Sequence, residues 1–252
     1  MASKTRWLLV VIFAIAMAWV ESAVVVDLRT LVDRLEPYQT NPLPFMPKLG
    51  EVELVREIAT LMMLWTVGWL AGHSRPTRWG YALLAFGVWD IFYYVFLKLI
   101  VDWPHSLLDW DILFLLPLPW WGPVLAPVMI AALMVIFGTL VTQFDQPLWP
   151  SRRAWIFNFC GSALALFVFM ADALRAVDGG VEAIRNVLPA WFNWPVFLIA
   201  FALMAIPVLE LIKQIWKMQK DQESVTFVSN KFTFGVQAFF LLLLYKIISR
   251  DT

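Results

Sequence analysis

Apolar runs of about 20 residues, separated by short polar loops, constrain this chain more than any other feature. A run of this length is what an α-helix needs to cross the hydrocarbon core of a bilayer. The runs lie near residues 7–27, 52–72, 79–100, 111–142, 154–175, 194–216 and 232–248. The sequence therefore predicts an all-α integral membrane protein with six to seven transmembrane helices in a single polytopic domain over residues 1–252.

The composition points to the same class. Hydrophobic residues make up 61% of the 252 residues and charged residues 15%, whereas a soluble domain has roughly 45–50% apolar and about 25% charged residues. The net charge is zero and there is no basic run, so membrane lipids are expected partners and nucleic acid is not. Cys160 is the single cysteine, which excludes an internal disulfide.

The segment from Asp109 to Pro127 interrupts the pattern of regular spans. It is apolar, yet it holds prolines at positions 117, 119, 123 and 127. Each proline removes a backbone donor and disfavours a straight helix, and a bilayer tolerates irregular backbone only beside other protein or a wet cavity. The sequence predicts a proline-broken or re-entrant segment at about 109–127. One alternative is a single long crossing, and the other is an interfacial piece at 111–121 before a true span at about 122–142.

Lysine and arginine in the short loops predict the orientation. Basic residues collect on one side of the predicted membrane, namely Lys4, Arg6, Arg75, Arg78, Arg152, Arg153, Lys213, Lys217 and Lys220. This side is expected to be cytoplasmic, with the N-terminus inside and the C-terminus outside a bacterial inner membrane. Ala16-Met17-Ala18 also fits a signal-cleavage pattern, but apolar sequence continues through Val26 and favours a retained first span.

Tryptophan is unusually frequent, with 15 residues. Most of them lie at predicted span ends, as indole does in interfacial belts, because its ring is apolar and its N–H is polar. Trp110, Trp120 and Trp121 instead cluster beside the prolines. These three are candidates for an aromatic wall around a lipid, a pigment or a quinone.

Ionisable residues inside the predicted spans are the candidate binding residues, because desolvating a charge is costly. Asp90 is the deepest, and helical spacing places it on one face with Tyr93, Tyr94 and Lys98. The candidate polar layer, close to the outer face, comprises Glu21, Glu57, Asp90, Tyr93, Tyr94, Lys98, Asp109, Asp111 and Asp172.

A structural interpretation of these acids competes with the binding one. Acids near span ends are commonly neutralised by a cation and lock helices together, and four cations are available for this: Arg29, Arg56, Lys98 and Arg175. This interpretation is favoured for Glu21, Glu57 and Asp172. For Asp90, a proton-carrying or ligand-binding role is favoured.

Several kinds of chemistry are not expected. His73 and His105 are the only histidines and fall in loops on opposite sides, which excludes bis-histidine haem b inside the bundle and disfavours a histidine-rich zinc site. The sequence has no nucleophile elbow, phosphate loop or dinucleotide fingerprint. No catalytic residue, metal site or cofactor is therefore predicted, although a bound lipid is compatible with the aromatic cluster.

Three functions from different classes remain open. The first is a non-catalytic accessory or scaffold subunit of a larger membrane assembly, such as a bioenergetic one, which fits the missing motifs and short loops. The second is a small proton- or cation-coupled transporter that uses Asp90 and the broken segment, although a single interrupted segment does not suggest an inverted repeat. The third is a membrane-embedded lipid or isoprenoid enzyme with Asp90, Asp109 and Asp111 as acid and base. The subunit function is favoured, and an enzyme is not.

Overall fold

The computed structural model shows a predominantly helical protein and describes residues 3–33, 35–38, 47–115, 117–144, 148–185 and 187–223. The chain divides into two units, residues 1–213 and 214–252. The described part of the second unit is the C-terminal end of the last helix. The elements are α1 (Ser3–Leu31), α2 (Pro47–Ala71), α3 (Arg75–Val101), β1 (Trp110–Ile112), β2 (Trp121–Pro123), α4 (Leu125–Gln143), α5 (Arg152–Phe169), α6 (Ala171–Arg175), a 3-10 turn (Val177–Gly179), α7 (Gly180–Arg185) and α8 (Trp194–Glu223).

Five of the described helices contain stretches long and apolar enough to cross a membrane: Ser3–Leu31, Gly50–Ala71, Arg75–Val101, Leu125–Gln143 and Trp194–Lys220. The predicted class, a multi-pass helical membrane protein, is therefore confirmed. The predicted spans near 7–27, 52–72, 79–100 and 194–216 each coincide with one of these helices. The predicted span at 232–248 lies outside the described residues.

The predicted span at 154–175 differs from the observed helix. The Ser151 side chain caps the start of α5 by accepting the backbone N–H of Ala154 at 3.2 Å, and the helix ends at Phe169, before the separate short helix α6. Because α5 has 18 residues and opens with Arg152 and Arg153, its apolar stretch is shorter than the roughly 20 residues of a typical crossing.

The proline-rich segment folds as an antiparallel hairpin, not as a helix. Asp111 lies opposite Gly122 in the paired strands, and the ladder continues where the Leu113 N–H donates to the Trp120 carbonyl at 2.8 Å. Cross-strand hydrogen bonds thus satisfy backbone N–H and C=O groups that have no helical partner here, because the prolines prevent a regular helix. Pro127 is tolerated in the first turn of α4, where no intrahelical N–H bond is required. The hairpin therefore precedes a regular helix from Leu125.

Helix α3 lies at the centre of the first unit, packed against α1, α2 and α4. A capping box starts it, because the Ser74 side chain accepts the Thr77 N–H and the Thr77 side chain accepts the Ser74 N–H. Small residues bring α3 and α4 into direct backbone contact, as is typical of membrane helices. A Cβ atom on Gly138 would lie 2.4 Å from the Gly80 carbonyl oxygen, so this crossing requires glycine.

Candidate functional site

A cavity of about 1480 Å³ lies between α1, α2, α3, α4, α5 and the hairpin. Ordinary small-molecule sites measure roughly 300–1,000 Å³, so this one is large. Eight of the residues singled out from the sequence line it: Glu21, Glu57, Asp90, Tyr93, Tyr94, Asp111, Trp120 and Trp121. Acids from α1, α2, α3 and β1 are thereby brought together, while their binding role stays a prediction.

Two predicted members of the polar layer lie away from the cavity because each has a nearer partner. Lys98 Nζ lies 3.0 Å from Asp102 Oδ1, one turn further along the chain. The Asp109 carboxylate accepts the backbone N–H groups of His105 at 2.7 Å and Ser106 at 3.1 Å. This local bonding is common for aspartate in loops. Helical spacing and proximity in sequence predicted Lys98 and Asp109 as members of the polar layer, but neither residue lines the cavity.

Asp172 and Trp110 are also not among the cavity-lining residues. Asp172 pairs with Arg175 on α6 and accepts the Ala190 N–H at 3.4 Å. It therefore ties α6 to the segment before α8. The ring of Trp110 packs edge-on against Phe192 at a centroid distance of 6.1 Å. Of the three tryptophans predicted to form an aromatic wall, Trp120 and Trp121 line the cavity and Trp110 does not.

Arg56 organises one side of the cavity by pairing with two carboxylates. Its guanidinium contacts Glu21 of α1 and Glu53 of its own helix, and the Thr60 hydroxyl donates to Glu21. Glu53, Arg56, Glu57 and Thr60 follow one another at helical spacing, so they share one face of α2. The sequence interpretation singled out Glu57 and overlooked Glu53, although helical spacing from Glu57 would have found it.

The hairpin is tied to α1 and α2 by buried polar contacts. Arg29 donates to Asp111 at 3.0 Å and lies over the ring of Trp103, 4.6 Å from its centroid. The Glu57 carboxylate accepts the Leu115 N–H at 3.0 and 3.2 Å from its two oxygens.

Asp90 differs from these paired acids. Its side chain is buried, with 9% of the residue exposed, and it lines the cavity. It forms no ion pair with any residue that the structure describes, and within the same residues Oδ2 meets no hydrogen-bond donor. The neighbouring Trp89 indole N–H likewise has no acceptor there. A carboxylate in this setting requires a proton, a cation or a polar ligand.

The charge of the cavity lining is strongly unbalanced. Its described residues include two guanidinium groups, Arg29 and Arg56, and both are already engaged with carboxylates. The acids that line it are Glu21, Glu51, Glu53, Glu57, Asp90, Asp111 and Glu182. Seven acids against two cations leave an excess of negative charge that favours protons or positively charged ligands.

A chain of aromatic rings also lines the cavity. Phe86 stacks on Phe114 at 6.4 Å, Phe114 contacts Trp120 at 5.2 Å, and Trp120 stacks on Phe169 at 6.3 Å with an interplanar angle of 6°. All four residues line the cavity. The rings connect α3 through the hairpin to α5. We call these four rings the aromatic side of the cavity and the seven acids its acidic side.

Within the described ranges, no group of three or more His, Cys, Asp or Glu side chains is arranged to hold a metal ion. No protein-family model, curated protein or solved structure matches this chain.

Proposed function

We propose that this chain is a small proton- or cation-coupled membrane carrier whose solute site is the acidic cavity. The observation that carries the proposal is Asp90, a buried carboxylate that lines the cavity and has no cation among its described neighbours. An isolated carboxylate is costly in a medium of low polarity. Binding a proton or a cation removes this cost, so the proton and the cation compete for one site.

The hairpin supports a carrier because of where its irregular backbone lies. Irregular backbone at membrane depth is tolerated where it lines a cavity, and Leu113, Phe114 and Leu115 of the hairpin line this one. Transporter sites are often built where a membrane helix is interrupted. The Glu57 bond to Leu115 couples the hairpin to α2, so a change of charge at the acidic side could be transmitted to this wall.

The proposal includes a membrane arrangement. It places the chain in a bacterial inner membrane with a cytoplasmic N-terminus; seven crossings put the C-terminus outside, and six put it back on the cytoplasmic side. The basic residues at the start of α3 (Arg75 and Arg78) and of α5 (Arg152 and Arg153) support this orientation. Labelling of single introduced cysteines in intact cells with an impermeant thiol reagent tests it, and labelling of the loop at Arg75 from outside contradicts it.

Everted membrane vesicles provide the test of the carrier function. Respiration acidifies such vesicles, and a fluorescent amine dye reports the pH gradient. Sodium, potassium and a panel of organic amines are added in turn. With the natural chain, at least one cation is expected to dissipate the gradient, because it exchanges for protons at Asp90. Asp90→Asn is expected to abolish this response, since a neutral amide cannot take up the proton and does not attract the cation.

Asp102→Asn is the matched control, because it changes a carboxylate to an amide at the C-terminal end of the same helix. Asp102 is exposed and adopts a left-handed conformation with φ 57°, which asparagine tolerates well. This variant is expected to retain the full response. A natural chain that shows no response to any cation contradicts the carrier function.

An accessory or scaffold subunit is the second candidate. Large aromatic side chains on α5, including Phe157, Phe159 and Phe167, are exposed, and lipid or a neighbouring subunit would cover them. Native sizing after mild detergent extraction distinguishes the two functions. A subunit is expected to migrate with other proteins, whereas migration as a lone chain contradicts this candidate.

A further inference from the structure

We infer that the cavity binds an amphipathic organic cation, with its charged group at Asp90 and its apolar body against the aromatic side. This inference rests on the proposed function and names the class of solute for the same site. The two sides of the cavity are chemically distinct, and each of them restricts the ligand in its own way.

The acidic side selects the sign of the charge. Both guanidinium groups in the described lining are engaged, Arg56 with Glu21 and Arg29 with Asp111. An anion would therefore meet unpaired carboxylate and no free cation on this side. Asp90 is buried, lines the cavity and has an oxygen without a donor among the described residues, so a positive group is the complement that it lacks.

The aromatic side selects an organic ligand over a hydrated metal ion. The rings of Phe86, Phe114, Trp120 and Phe169 present apolar faces along one path. Such faces pack against hydrocarbon or aromatic groups and also attract cations through their ring electrons. Phe86 lies one turn before Asp90 on α3, so the two side chains share one face of this helix, and both line the cavity. The acidic and aromatic sides therefore adjoin at α3, where one molecule can contact both.

Size is consistent with a bulky ligand. The cavity of about 1480 Å³ exceeds the roughly 300–1,000 Å³ of an ordinary small-molecule site. A small inorganic cation would leave most of this volume and most of the aromatic surface without contacts. An amphipathic cation makes use of both.

Tetraphenylphosphonium and tetraphenylborate provide a matched pair of probes, because they share size and shape and differ in the sign of their charge. Binding of each radiolabelled ion is measured by equilibrium dialysis against the full chain in nanodiscs of zwitterionic lipid, with protein-free nanodiscs as the lipid background. Saturable binding above background is expected for the phosphonium ion and not for the borate ion.

Variants locate the binding. Asp90→Asn is expected to weaken phosphonium binding about tenfold or more, because the bound cation loses its buried charge partner. Asp90→Glu, which keeps the charge, is expected to retain most of the affinity. Asp102→Asn is expected to bind like the natural chain. Thermal unfolding of each variant verifies that it is folded.

Three outcomes overturn the inference. They are equal or tighter saturable binding of the borate ion, absence of saturable binding of the phosphonium ion, and phosphonium binding that Asp90→Asn leaves unchanged. Absence of phosphonium binding together with intact exchange of inorganic cations in vesicles rejects only the ligand class. Absence of exchange with every cation rejects the proposed function itself.

Discussion

Arg56→Met is expected to destabilise the folded protein by about 3 kcal/mol, the lower end of the cost of removing one member of a buried ion pair, because Glu21 is buried whereas Arg56 and Glu53 are partly buried. Arg56 contacts Glu21 and Glu53, so its loss leaves two carboxylates without a cation. Methionine keeps the apolar part of the side chain, and the effect therefore reports the charge. The thermal unfolding temperature in detergent measures the change, which should appear as a large decrease.

Two further variants separate this charge effect from lost packing. Replacing Glu21 and Glu53 by glutamine in the Arg56→Met background should recover much of the stability, because no uncompensated charge remains. Lys98→Met removes a cation whose partner Asp102 is exposed, and exposed pairs contribute little, so it should leave the unfolding temperature nearly unchanged. An Arg56→Met variant as stable as the natural chain would show that these carboxylates do not depend on Arg56.

Helical spacing predicted part of the cavity because α3 is a regular helix. Asp90, Tyr93 and Tyr94 share a face through the i, i+3, i+4 relation, and all three line the cavity. The same relation extended to Lys98 failed, since Lys98 has a partner one turn away at Asp102. Periodicity gives the direction of a side chain from its own helix. It does not give the competing partners near the helix end.

Contacts between elements were the least predictable feature. The prolines near 109–127 indicated a break in the helix, and the structure has a hairpin there. The strand register depends on cross-strand pairs, which no local pattern specifies. Likewise, the sequence predicts that Arg29 and Arg56 can neutralise nearby acids, but it does not give their partners. The pairing of Arg29 with Asp111 and of Arg56 with Glu21 depends on how α1, α2 and the hairpin pack.

The end of α5 illustrates a limit of hydropathy. Apolar sequence continues from the region of Ala154 to Ala176 with few interruptions, which suggested one span. The chain nevertheless leaves α5 at Met170, and the short helix α6 places Asp172 where it pairs with Arg175 and accepts the Ala190 N–H. A polar contact with a later segment thus accompanies a break in a helix that hydropathy alone would continue.

Gly138→Ala is expected to destabilise the protein by about 1–3 kcal/mol or more, the range of overpacked cores. The added Cβ would lie 2.4 Å from the Gly80 carbonyl oxygen and 2.9 Å from the Leu84 amide nitrogen, and backbone atoms cannot move aside as a flexible side chain can. The helices α3 and α4 would have to separate, which would also displace Asp90 relative to the cavity wall. We expect both a lower unfolding temperature and a weaker vesicle response.

Gly50→Ala is the matched control, because a Cβ there meets no atom within 4 Å and alanine favours a helix by up to about 1 kcal/mol over glycine. Equal stability of the two alanine variants would contradict the close contact between α3 and α4.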